Sequence, residues 1–499
     1  MREKPAELSP EEFRALGHDL VDRIAEFLRG LRERPVAPDT TPAQIRSLIG
    51  GGGNGVPERG EDPQAILRNA AELMFDHSTF NGHPRFFGYI TSSASPIGAL
   101  ADLLAASVNS NVGAWQLSPV ATEVERQSVR WVAELIGFPG DSGGIMVSGG
   151  NMANMVCLMA AIRKKAGWNM RQSGAAGAPA KRLMLYASVE VHTWLQKGAD
   201  LCGLGLDSVR AVAVDESRAM RIDDLRRQIE ADRQAGLEPA FVVGTAGTVS
   251  TGAVDPLPEI AQLCAEEGLW FHVDGAYGAP AAMLPDAPAA LRAIGLADSV
   301  AVDPHKWLYA PIEAGCSLVR DPKALHDAFS FHPTYYQFDG SAEDPPTNFY
   351  EWGPQNTRGF RALKVWATIR QVGREGYRRM IGDDIALSRA MFDEAAKHPE
   401  IEALTQSLSI ATFRFVPADL GEDRGDARAS EYLNQLNTEL LARLQQAGHV
   451  YLSNAVLDGV FALRACIVNF RTEHEDVVRV IEESARVGAE LDRELRVRF

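Results

Sequence analysis

Apolar and polar positions along the chain fall into successive patterns. Near the start they repeat with helical spacing, with Phe13, Leu16, Leu20, Ile24, Phe27, Leu28 and Leu31 on one face. Ser9, Pro10 and Glu12 supply an N-cap, a first-turn proline and the acidic half of a capping box, so a helix is predicted to open there. The glycine-rich stretch at 50–55 offers no core side chain and predicts a flexible break. From residue 144 the pattern becomes short apolar runs, at 145–147, 183–186, 209–214, 240–243, 270–273, 300–302 and 316–319. Runs so short and apolar predict strands buried on both faces, and 222–234 and 256–267 predict helices between several of them. The alternation predicts an α/β fold whose mainly parallel sheet is covered on both faces. Helical periodicity resumes over 362–397. The tail, with predicted strands at 410–415 and 460–470 and a helix at 476–495, predicts a smaller α+β part.

Composition narrows the classes. A chain of 499 residues, 45% hydrophobic and 23% charged, is long enough for a soluble globular protein of two or three domains. Lys and Arg number 50 against 66 Asp and Glu, and the net charge of -16 works against nucleic acid or an acidic membrane surface as a partner. A bound phosphate would need a local site. The first residues carry no apolar leader and no long uncharged apolar run follows, so neither a signal peptide nor a membrane span is expected, and the expected address is cytoplasmic. Cys157, Cys202, Cys264, Cys316 and Cys466 are odd in number and scattered, which suits reduced thiols better than disulfides. No metal-binding spacing is found, and no metal is expected.

Two of the predicted strands end in ionisable residues. The run at 300–302 leads into Asp303, Pro304, His305 and Lys306. A lysine among Val300, Val302, Trp307, Leu308 and Tyr309 gives up hydration, and burial shifts an amine toward its neutral, nucleophilic form. A neutral amine attacks aldehydes, which is how lysines hold a carbonyl cofactor as a Schiff base. The plainer reading is a lysine snorkelling from the end of a buried strand. The run at 270–273 ends at Asp274, an anion of the kind that keeps a pyridine nitrogen protonated, although Asp-Gly is also a common turn pair. Both stand at the carboxyl ends of predicted strands, where open α/β sheets place their sites. The run at 145–147 breaks at Ser148-Gly149-Gly150-Asn151 before a helical stretch. Two glycines let an anion approach the backbone, Asn151 can cap, and a helix N-terminus favours phosphate. Gly-Gly turns are common before helices. Neither the dinucleotide fingerprint nor the Walker lysine is present, which argues against NAD and ATP.

His272-Val273-Asp274-Gly275-Ala276-Tyr277 and Asp303-Pro304-His305-Lys306-Trp307 resemble the motifs of the group II amino acid decarboxylases dependent on pyridoxal 5′-phosphate (PLP), the aromatic-L-amino-acid decarboxylases above all. The resemblance implies fold type I, like aspartate aminotransferase: a seven-stranded, mainly parallel sheet with an N-terminal helical segment and a smaller C-terminal α+β domain. It implies three parts, a dimerisation segment at 1–88, a PLP-binding domain at 89–375 and the small domain at 376–499. A homodimer is implied, with the N-terminal helices packed across the partner, the plain alternative being packing on the chain's own core. The implied reaction converts an aromatic L-amino acid (Tyr, Phe, Trp or dihydroxyphenylalanine) to its amine and carbon dioxide.

Residue by residue, the resemblance implies that Lys306 carries PLP, that Asp274 faces the ring nitrogen and that His192 stacks on the ring. Tyr335, in a long polar stretch that reads as a lid or a disordered segment, is implied to protonate the α-carbon after carbon dioxide leaves. Gly150, Asn151, Thr248, Ala276 and His305 are implied cofactor contacts, and Tyr89, Ile90 and Trp115 implied contacts of the substrate side chain. Plainer readings stand beside these: His192 as a helix-start residue bonded to backbone, Thr248 as a turn residue, the aromatics at 83–89 as core. Three positions depart from the pattern. Asp303 replaces Asn, Val249 replaces Thr, and Gly359 replaces the second arginine of a pair begun by Arg358. Tyrosine at 335, where aldehyde-forming relatives carry phenylalanine, favours simple decarboxylation. An aldehyde synthase, an aminotransferase, a decarboxylase of a non-aromatic amino acid such as glutamate and a nonenzymatic binder are the alternatives.

Overall fold

The computed structural model describes residues 2–50, 55–175, 181–331, 346–420 and 426–496. The expected break at 50–55 and the expected lid therefore fall largely outside the described residues, as does Tyr335.

Seven strands form the main sheet: β1 (Gly143–Val147), β2 (Leu183–Ser188), β3 (Val209–Val212), β4 (Glu238–Thr245), β5 (Trp270–Asp274), β6 (Ser299–Val302) and β7 (Gly315–Val319). Their spatial order is β1-β7-β6-β5-β4-β2-β3, and only β7 runs against its neighbours. The expected strands at 209–214 and 460–470 end earlier, at Val212 and Cys466. Side chains alternate between two cores. Met146, Met184, Tyr186, Val242 and Phe271 enter one, while Ile145, Val147, Leu185, Val243 and Trp270 enter the other. Helices Pro119–Leu135, Leu257–Glu267 and the first half of Ala362–Lys397 contribute to the first core; Gly150–Lys165 and Pro322–Phe329 contribute to the second. This double burial is why the strands read as unbroken apolar runs rather than alternating ones.

The antiparallel β7 has a simple cause. A parallel return needs a crossover of a dozen or more residues, usually a helix. The connection at 303–314 contains no helix, so the chain turns straight back, and that turn carries Lys306. Because β7 lies between β6 and β1, the loop after β1 comes to rest against it. A Cβ at Gly315 would stand 2.6 Å from the Gly149 carbonyl carbon, so the two backbones touch where a side chain has no room.

A second, antiparallel sheet is built from β8 (Ile401–Ser407), β9 (Ile410–Phe415), β10 (Ser453–Leu457) and β11 (Val460–Cys466), in the order β10-β11-β9-β8. It packs with helices Ala427–Ala447 and His474–Leu495 around a third core, which also takes in Met391 and Ala395 near the end of the long helix. That helix is interrupted once, at Gly373, whose φ of 66° is left-handed.

The N-terminal helix Pro10–Arg29 opens with the expected capping box: Ser9 Oγ accepts from the Glu12 amide (3.2 Å), and Glu12 Oε2 accepts from the Ser9 amide (2.8 Å). None of its residues is buried. Phe27 stacks on Phe75 with centroids 4.5 Å apart, but Phe13 and Ile24 stay exposed, so the chain's own core covers the stripe only in part. On helix Pro96–Val108, Leu100, Leu103, Leu104 and Val108 form another exposed apolar row.

Candidate active site

A cavity of about 440 Å³ opens at the carboxyl ends of β4, β5 and β6, with the loop that follows β1 on its wall. Pairing fixes its floor: Thr245 lies opposite Asp274, and Asp274 opposite Ala301. Of the residues picked from the sequence, Ile90, Gly150, Asn151, His192, Asp274, Ala276, His305 and Lys306 line it together. Three do not. Thr248 is buried in its own turn, where its hydroxyl accepts from the Ala253 amide (3.1 Å) and meets Thr251 Oγ1 (3.1 Å). Tyr89 turns outward at a left-handed φ of 53°, and Arg464 holds its carbonyl (3.0 Å). Trp115 lines a separate cavity of about 920 Å³, its indole N–H donating to Glu123 Oε1 (3.0 Å).

Lys306 is less secluded than its apolar neighbours suggest. Its side chain is 21% exposed, and Nζ lies 3.0 Å from Asp303 Oδ2. The aromatic residues beside it point the other way and anchor the turn. Trp307 stacks on Tyr277 at 4.9 Å, and Trp307 Nε1 and Tyr309 Oη both donate to Asp384 Oδ2, at 2.8 and 2.6 Å. Tyr309 holds a left-handed φ of 54°, a conformation costly for a bulky residue and kept here by those bonds. Asp384, on the long helix, is buried with no cation paired to it among the described residues, and that burial pushes its carboxyl up to about 7.

Asp274 is held at both oxygens. Oδ2 accepts from Trp194 Nε1 (2.7 Å) and Oδ1 from the Ala276 amide (3.2 Å). A bond from a neutral donor to a buried carboxylate is worth about 1.5–3 kcal/mol. Trp194 is almost wholly buried on helix Trp194–Leu201. Behind Asp274, His272 bridges Ser299 Oγ (2.8 Å) and Asn154 Oδ1 (2.7 Å), and burial pushes its imidazole down to about 4. His192 presents its ring to the cavity, while its Nδ1 accepts from the Trp194 amide (3.2 Å). Desolvation lowers its pKa; Asp274 pulls it partly back and Lys306 adds to the lowering. A flat, neutral ring results near neutral pH.

The loop after β1 suits an anion. Gly149 adopts φ 104° and is the N-cap of helix Gly150–Lys165, with no side chain capping it; Asn151 is the second helical residue rather than the cap. The first-turn amides and the helix dipole are thus left to a ligand. A Cβ on Gly150 would stand 2.5 Å from Asp303 Oδ2, so the cradle admits no side chain. Buried Thr245 Oγ1 and Asp303 Oδ1 have no hydrogen-bond partner among the described residues. An amine, a fixed carboxylate, a flat imidazole and a glycine cradle with unsatisfied polar atoms beside it fit a phosphorylated aldehyde carried on a pyridine ring.

Sequence reading missed several of these residues. Trp194 gave no sign beyond standing two positions after His192, and Asp384 and Arg464 lie far along the chain in helix and strand with nothing to single them out. Glu190 and Glu313 also reach the wall, each near an arginine: Glu190 Oε1 is 4.0 Å from Arg218, and Glu313 Oε1 accepts from Arg361 (2.8 Å).

Residues 47–415 match the model of the pyridoxal-dependent decarboxylase conserved domain. The aromatic-L-amino-acid decarboxylase of Bacillus atrophaeus is 30% identical over 486 residues, 97% of this chain and 97% of its own. A phenylacetaldehyde synthase of Petunia hybrida is 29% identical over 469 residues, 92% of this chain and 91% of its own. The crystal structure of Oryza sativa TDC with PLP and tryptamine superimposes with a TM-score of 0.89 at 26% identity, covering 98% of this chain and 100% of that one. A family match over most of the length, a relative alike from end to end and a cavity of fitting chemistry agree: the chain belongs to the pyridoxal-dependent decarboxylase family and is a carboxy-lyase with PLP as its cofactor.

Proposed function

We propose that this enzyme removes the carboxylate of an aromatic L-amino acid and releases the corresponding amine. The observation that carries the reading is the meeting of Lys306, Asp274, His192 and the Gly149–Gly150 cradle in one cavity. When bound, PLP supplies an electron-accepting ring conjugated to the substrate's amine-bearing carbon. Lys306 would hold it through Nζ and give way to the substrate amine. Asp274 would keep a proton on the ring nitrogen, and Trp194 keeps that carboxylate aimed. His192 would cover one face of the ring and help set the substrate carboxylate perpendicular to it. Tyr335, outside the described residues, remains the proposed donor of a proton to the α-carbon.

The aromatic preference rests on the wall and on the Bacillus atrophaeus relative. Ile90, Val249, Tyr277 and Ile312 give the cavity an apolar side, and Lys306 is the only lysine or arginine among its described lining residues. Glu190 and Glu313, set beside Arg218 and Arg361, offer an acidic side chain no cation of their own. The exposed apolar rows on helices Pro10–Arg29 and Pro96–Val108 favour a homodimer. A second reading, the aldehyde synthase, is favoured by the Petunia hybrida relative. Product analysis over a panel of amino acids separates the two: carbon dioxide with an equal amount of amine supports the proposal, whereas aldehyde with ammonia and peroxide overturns it. Borohydride reduction followed by peptide mapping is expected to find a pyridoxyl group on Lys306, and active enzyme unmodified there would refute the assignment.

A further inference from the structure

Asp303 stands in an unusual place. One oxygen pairs with Lys306 Nζ (3.0 Å) and presses on Gly150, where a Cβ would come within 2.5 Å of it. The other, Oδ1, is buried with no hydrogen-bond partner among the described residues, and the whole residue is almost fully buried. A carboxylate is thus built into the wall of an anion cradle. PLP brings a phosphate monoester carrying close to two negative charges at neutral pH. Two anions forced together do not both stay ionised; one takes a proton. The pairing with Lys306 cannot cancel this repulsion once PLP is anchored. Held to the aldehyde through a carbon–nitrogen double bond, with the aldehyde oxygen lost as water, Nζ would keep at most one of the three hydrogens it could offer Asp303.

We propose that one proton is taken up from solvent when the phosphate of PLP docks and is held in a hydrogen bond between Asp303 and the phosphate, so that cofactor affinity depends on pH. The other titratable groups around Asp303 are Lys306 and His305 on its own turn, His192 on the loop after β2 and Cys316 on β7. His305 is the main rival for the proton. Its Nδ1 donates to the Ala314 carbonyl (2.7 Å), and its Nε2 lies 3.9 Å from Asp303 Oδ2.

The proposal rests on Lys306 being the anchoring amine, and the test keeps the two apart. PLP is titrated calorimetrically into the full-length chain freed of cofactor, wild type and D303N, in buffers of different ionisation heat across a pH series. Wild type is expected to bind one proton more than D303N, and its affinity to fall more steeply with rising pH by up to about tenfold per unit. With pyridoxal, which lacks the phosphate, the two proteins should give equal proton counts. Proton uptake that persists in D303N assigns the proton to His305 or His192 and overturns the proposal, as do equal slopes with PLP. Should D303N fail to fold, the same calorimetry on wild type alone decides: one proton more taken up with PLP than with pyridoxal supports the proposal, and equal counts overturn it. Borohydride mapping of the same samples reports on the underlying reading, because a pyridoxyl group away from Lys306 refutes that assignment whatever the proton count.

Discussion

The tightest constraints lie on single side chains around the cradle and the carboxylate. Trp194 donates the only side-chain hydrogen bond that Asp274 receives among the described residues. W194F keeps the bulk and removes the N–H, leaving Asp274 Oδ2 buried and unsatisfied at a cost of about 1–3 kcal/mol. PLP affinity, measured by fluorescence titration, is expected to weaken about tenfold or more, and retention of full affinity would show that Ala276 alone holds the carboxylate. G150A should do worse. Its new methyl group would meet Asp303 Oδ2 at 2.5 Å, so either the loop or the Lys306 pair must shift. Absorbance of bound PLP is expected to be largely lost while the far-ultraviolet circular dichroism of the fold survives.

Between elements, the main coupling is the bond of the lysine turn to the long helix through Asp384. In the unfolded chain this carboxyl ionises near 3.8, whereas burial raises it to about 7 in the fold. As pH rises between these values the unfolded state sheds the proton and the folded state keeps it, so this group's contribution to stability falls. His272 works in the opposite sense: pushed down to about 4 from 6.5, it costs stability as pH falls through that range. D384N removes only the first effect. Urea melts from pH 7 down to pH 4 should show its stability dropping more steeply on acidification than that of wild type, by on the order of a few kcal/mol. Parallel curves would place the proton elsewhere. Such couplings were the part least legible in the sequence. Strands buried on both faces announce themselves as apolar runs, so β1, β2 and β4 to β7 were readable, and the strand ends led to Asp274 and Lys306. In contrast, β8 is only partly buried after its first residue, β10 alternates buried with exposed positions, and both escaped notice. Thr248 and Trp115 show a further limit, since closeness in sequence to a site loop does not decide which way a side chain turns.

At the scale of the whole molecule, the uncovered apolar rows have a testable meaning. Leu104 is 57% exposed and sits among Leu100, Leu103 and Val108 on one helix. In L104E a charge enters the proposed dimer contact without disturbing a buried side chain. Sedimentation velocity is expected to find L104E shifted toward monomer, with activity lost in step; a dimer of unchanged affinity would move the interface to another face. The bonds from Asp384 to the lysine turn, and from Arg464 to the Val249 carbonyl (2.6 Å) on the cavity wall, carry a consequence for how the protein is made. During synthesis, both segments leave the ribosome after every described residue that lines the cavity. A nascent chain stalled before residue 384 has the proposed anchoring lysine but lacks the Asp384 bonds that tie its turn to the long helix, so vitamin B6 capture would fall late in the making of the polypeptide.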